Sequence, residues 1–141
     1  MINEVREYFK NRINEVNSDL AEHDNPFDDQ IPESIIEDSY ILKIGEIASK
    51  FINQTVEDEM PVEIKIYRKG DNDILENFYQ FYQEAHMIRL CSIDPIFSRN
   101  GNYIKNVICE GIVPSNKDGD DNLIVYSLQF KIMLSFGLNY T

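Results

Sequence analysis

One run, NLIVYSLQFKIMLSF at residues 122–136, constrains the fold more than any other part of this chain. Ile124, Tyr126, Leu128, Phe130, Ile132, Leu134 and Phe136 alternate with Val125, Ser127, Gln129, Lys131, Met133 and Ser135. Unbroken period two marks a β-strand with one apolar face. Extended at about 3.4 Å per residue the run spans roughly 50 Å, against about 17–20 Å for a usual strand. A single core in a chain of 141 residues does not use apolar side chains along that whole length. The run therefore predicts either a bend across a sheet or an extension that pairs with another chain.

The remaining elements follow from periodicity. Ile2, Val5, Phe9, Ile13, Val16 and Leu20 recur at spacings of 3, 4, 4, 3 and 4, the stripe of an amphipathic helix. Its opposite face carries Glu4, Glu7, Lys10 and Asn11. A strand is expected around 39–47. In a second, half-buried strand Val62, Ile64 and Ile66 alternate with Glu63, Lys65 and Tyr67, ending at Gly70 and Asp71. Ile74, Phe78, Phe81, Ala85 and Ile88 then mark a second helix lying across a sheet face, with Asp71, Asn72 or Asp73 available as its cap. A third strand runs over about 103–113, and the polar loop PSNKDGDDN returns the chain into the long run as a β-hairpin. The order α-β-β-α-β-β predicts an α+β domain over residues 1–141, a mostly antiparallel sheet with two helices packed on it.

Hydrophobic residues at 43% and charged ones at 27% fit a globular chain. No apolar run reaches about 18 residues, and the charged start MINEVREYFKNRINEV is no secretory signal. Cys91 and Cys109 make no disulfide framework and read as buried thiols of a reducing compartment, so cytoplasmic synthesis is expected. The formal charge of −12 opposes phosphate binding. It still allows an acidic wall past which DNA slides without adhering. From Ile13 to Leu42 there are nine acids and no Lys or Arg. Around Pro26 and Pro32 this stretch reads as a solvated surface loop, with a cation or a basic partner as the other readings.

No catalytic constellation assembles. His23 lies in the acidic loop, and Glu84 and His86, two apart on a helix, point away from each other. No H-E-x-x-H pair or glycine-rich phosphate loop is present. The run KDGDDN has the acid density of a calcium loop, but Gln129 stands where the bidentate Glu belongs, at the twelfth position with Asp118 as the first. Neither enzyme activity nor a cofactor or metal is expected.

The helix INEVREYFKNRI, a proline-marked loop, the strand VEIKIYRKG, the helix DNDILENFYQFYQEA and a closing long hairpin together resemble the tail terminator proteins of tailed phages. The pattern is also similar to related tail-completion and neck proteins. The resemblance covers most of the chain and rests on element order and size, because the family has no sharp motif. It implies a small α+β protomer closing into a hexameric ring at the head-proximal end of the tail. Such a ring ends the tube, contacts tube, sheath or neck proteins, and lets DNA pass through its lumen unbound. The place implied is the virion, after synthesis in the host cytoplasm, with no catalytic residues carried over.

Subunit contacts of such a ring are expected at the exposed half of the hairpin and its tip, Lys117, Asp118, Asp120 and Asp121. Arg68 and Lys69, ending the second strand, are expected to pair with acids on a neighbour. Two other classes fit the same sequence. One is an acidic binding or inhibitor module presenting Asp24, Asp28 and Asp29; the other is a small carboxylate-dependent hydrolase. The expected core is Ile64, Ile66, Phe78, Phe81, Ile108, Leu128, Phe130 and Ile132.

Overall fold

The computed structural model describes residues 2–23, 38–70, 73–93, 104–116 and 123–137. In chain order these form α1 (Ile2–Val16), β1 (Ala21–Glu22), β2 (Ser39–Ile44), β3 (Ala48–Ile52), β4 (Thr55–Lys69), α2 (Ile74–Ser92), β5 (Ile104–Asn116) and β6 (Leu123–Gly137). The strands make one sheet in the order β1-β2-β4-β6-β5, with β3 also paired to β4. Every pair is antiparallel except the short β1–β2 pair. The fold is α+β, and the expected order holds with two strands added, β1 and β3.

The chain itself absorbs the length of β6. Its partner β4 is equally long and pairs with it at every position from Lys69↔Leu123 to Thr55↔Gly137. On the other side β5 pairs from Asn116↔Ile124 to Ile104↔Leu134. Ile124, Tyr126, Leu128, Phe130, Ile132 and Leu134 are all buried. The expectation that one core cannot use this length is corrected: two strands of the same chain flank it, and β6 is central.

Along the far side of β4, β2 and β3 lie end to end, and the break at residues 45–47 falls opposite Pro61. Pro61 has no N–H for a ladder. Instead its carbonyl accepts from the Gly45 N–H at 2.9 Å. A Cβ on Gly45 would sit 2.9 Å from Pro61 Cγ, so this crossing needs glycine. Asn53 and Gln54 then turn β3 into β4, with Asn53 at φ 55°, a conformation Asn tolerates better than most residues.

Both helices pack on the face formed by the even-numbered residues of β4 and β6. The Phe9 ring lies 4.9 Å from Phe130, and Tyr82 meets Tyr126 edge-on at 5.6 Å. Tyr8 donates its hydroxyl to the Ser92 carbonyl, tying α1 to the end of α2. Of the three capping candidates, Asp73 caps α2 through the Glu76 N–H at 3.1 Å. Ile64, Ile66, Phe81, Leu128, Phe130 and Ile132 are buried as expected, and Phe78 packs half-buried against them. A smaller cluster, Ile41, Tyr67, Leu123 and Val125, is buried on the opposite face.

Ile108 is the exception, 43% exposed. The β5 register shifts between Cys109 and Gly111. That bulge reverses the alternation, so Val107 and Cys109 face the core before it and Ile112 after it. A strict period-two count through the bulge puts Ile108 on the wrong face.

Candidate assembly surfaces

A sheet has two edges, and each must be covered, blunted or paired. Among the described residues, β5 has no strand partner on its outer side, and neither has β3. These two open edges differ in sequence, and both show apolar side chains to solvent. On β5, Ile108 and Val113 are exposed. On the β3 side, Ile47, Phe51 and Ile52 are exposed, with Phe51 at 69%. All five residues of β3 are exposed, which is unusual for a strand with two Ile/Phe side chains.

Charge follows the same division. The β3 side carries Glu46, Glu57 and Glu59 with Lys50 among them, and a cleft of about 350 Å³ is lined by Ala48, Ser49, Lys50, Glu57, Glu59 and Met133. On the β5 side Glu110, the extra residue of the bulge, reaches Lys131 at 4.0 Å, a contact half open to water. That contact puts Glu110 on the sheet face away from the helices, with the odd-numbered residues of β6. Lys50, opposite Glu57, lies on the same face.

α2 is a third apolar surface. Leu75, Tyr79, Met87 and Leu90 face solvent on the side away from the core, spaced 4, 8 and 3 apart. A helix apolar on both sides is normally buried on both. Near its start, Leu75 and Phe78 line a cleft of about 430 Å³ with Pro114, Ser115, Asn116 and Ile124.

The expected contact residues fare differently. Arg68 is bound within its own chain: it donates to Asp38 at 2.9 Å, lies 3.3 Å from Glu84 and covers the Phe81 ring at 4.6 Å. Glu84 also accepts from Asn17 at 2.9 Å, so this cluster ties the end of β4 to both helices. The Lys69 N–H donates to the same Asp38 oxygen at 3.4 Å. Lys117, Asp118, Asp120 and Asp121 lie outside the described residues, as do Asp24, Asp28 and Asp29. Phe51, Ile52 and the outer residues of α2 went unread in the sequence. Their signal was present as apolar residues left over once each core stripe had been counted.

The perturbed titrating groups are structural. Burial, followed by the nearby Glu22, pushes the Tyr40 phenol up to about 12. Burial also raises Tyr126, whose hydroxyl donates to the Phe78 carbonyl. Among the described residues no group of three or more His, Cys, Asp or Glu is placed to hold a metal ion, and no helix is long and apolar enough to cross a membrane.

Compared with known proteins, the chain matches no family model and no curated sequence.

Proposed function

We propose that this chain is a structural subunit of a tailed-phage virion. It closes with further copies into a ring, hexameric in the family it resembles, at the head-proximal end of the tail. The ring ends the tail tube and joins it to the neck. One observation carries the reading: among the described residues the sheet has two open edges with different sequences, and both expose apolar side chains. Unlike edges that attract each other make a head-to-tail contact, and a head-to-tail contact closes into a ring when its rotation divides the circle. Identical edges would instead give a two-fold dimer. The charge of −12 suits a channel through which DNA passes without sticking.

The outward side of α2, with Leu75, Tyr79, Met87 and Leu90, is then available to tube, sheath or neck proteins. The test is immunogold electron microscopy with an antibody against this chain, on virions produced from the genome that encodes it. Label at the junction of head and tail is expected. Virions without label at that junction would overturn the reading.

A further inference from the structure

The ring reading leaves open how one copy meets the next, and the inference here rests on that reading. We infer that the β5 edge of one copy pairs antiparallel with the β3 edge of its neighbour, with Lys50 of one facing Glu110 of the other. Direction, position, tilt and charge each constrain this junction.

Direction comes from the pairing already present. β3 runs antiparallel to β4, β4 to β6 and β6 to β5, so β3 and β5 are themselves antiparallel. Rotation about a ring axis near the strand direction preserves that sense. The sheet then continues from copy to copy without a reversed pair, and its face away from α1 and α2 stays on one side throughout.

Position comes from β1. It already covers the edge of β2 at Ser39 and Tyr40, which lie level with Val125 and Tyr126 through Tyr67 and Ile66, respectively. An incoming β5 placed at its own level, opposite residues 124–134 of β6, would collide with β1. It fits only when slid toward β3. Lys50 lies level with Ser135 through Glu57, whereas Ile108, two residues before Glu110, lies level with Lys131. Matching Lys50 to Glu110 therefore requires a slide of between five and six residues, roughly 19 Å, and it clears β1.

Tilt follows from that slide. β5, β6, β4 and β3 advance the sheet by roughly 19 Å per copy at about 4.8 Å per strand. A slide of roughly 19 Å over that width closes a ring when the strands tilt by about 45°, the upper end of the roughly 35–45° typical of closed barrels. Charge then selects the register. Lys50 on β3 stands beside Glu57 and Glu59 of β4, and Glu110 holds its own-chain cation at only 4.0 Å. Both occupy the face away from α1 and α2, where Ile52 meets Ile108 beside them.

A charge exchange in the full-length chain tests the junction. Lys50→Glu and Glu110→Lys are each expected to raise the concentration needed for assembly about tenfold or more, while far-ultraviolet circular dichroism stays unchanged. The double variant, which restores opposite charges across the junction, is expected to assemble as the wild type does. A merely structural loss at Glu110, such as its contact with Lys131, would not be rescued by Lys50→Glu. Folded single variants that assemble like wild type, or a double variant that assembles no better than the singles, would overturn the junction and leave the ring standing. A wild-type protein that stays monomeric at every concentration would overturn the ring reading itself.

Discussion

β5 and β6 are the two arms of one hairpin, yet their residues meet opposite fates. β6 lies between two strands and buries every described side chain on its inner face, with Leu123 and Val125 buried on the other face as well. β5 has the same apolar content in its middle but lies at the edge, carries two register shifts and leaves Ile108 and Val113 in solvent. Burial here depends on position in the sheet more than on residue type. Apolar residues in a central strand stabilise the fold, whereas the same residues on an open edge stabilise a contact that the single chain does not make.

If the contrast is real, changes in the two arms must separate stability from assembly. The largest effect belongs to β6. Phe130→Ala removes a ring packed against Phe9 and is expected to cost about 3–5 kcal/mol in urea unfolding. A loss below about 1 kcal/mol would show that β6 is not the centre of the core.

Alkaline pH gives the next largest effect. A phenol raised from 10.0 to about 12 in the folded state keeps its proton while the unfolded chain loses one. The contribution of Tyr40 is therefore complete below pH 10 and lost as pH rises through 12, on the order of 2 kcal/mol; Tyr126 adds to it in the same direction. Stability that is flat from pH 10 to 12 would contradict the burial of both rings.

Single hydroxyls give smaller changes. Tyr126→Phe deletes the bond to the Phe78 carbonyl and is expected to cost about 1 kcal/mol. Among the described residues the buried Tyr40 hydroxyl has no hydrogen-bond partner, so Tyr40→Phe is expected to leave stability unchanged or raise it by about 1 kcal/mol. Equal losses at both positions would show that Tyr40 is bonded after all. Ile108→Ser on β5 comes last: its effect on unfolding is expected to lie within about 0.5 kcal/mol. Assembly weakened by that change, seen in sedimentation velocity, would sharpen the contrast between the arms; a destabilised monomer would break it.

Much of the fold was legible in the sequence because it rests on long, regular periods. β6, both helices and the core half of β4 follow directly from spacing, which also narrows the α2 cap to three candidates. The first half of β4 did not, because TVEDEMP places Asp58 on the inner face between Val56 and Met60 and ends in proline, which hides the alternation. β3 was lost for the same reason, being a short strand bounded by the Gly45–Pro61 break and a two-residue turn. Ile108 was misplaced because a bulge leaves no mark in composition. The site was less legible than the fold. The sequence suggests that Arg68 pairs with acids of a neighbouring copy, and only the folded chain brings Asp38, thirty residues earlier, and Glu84 to it. Edges are a property of topology, so no linear pattern distinguishes β5 from β6.

Native mass spectrometry of the wild-type protein over a concentration series tests the assembly claim most directly. One closed oligomer, six copies on the resemblance to tail terminators, with a mass that stops growing as concentration rises, is the predicted result. A monomer at every concentration, or a two-fold dimer that goes no further, would contradict it.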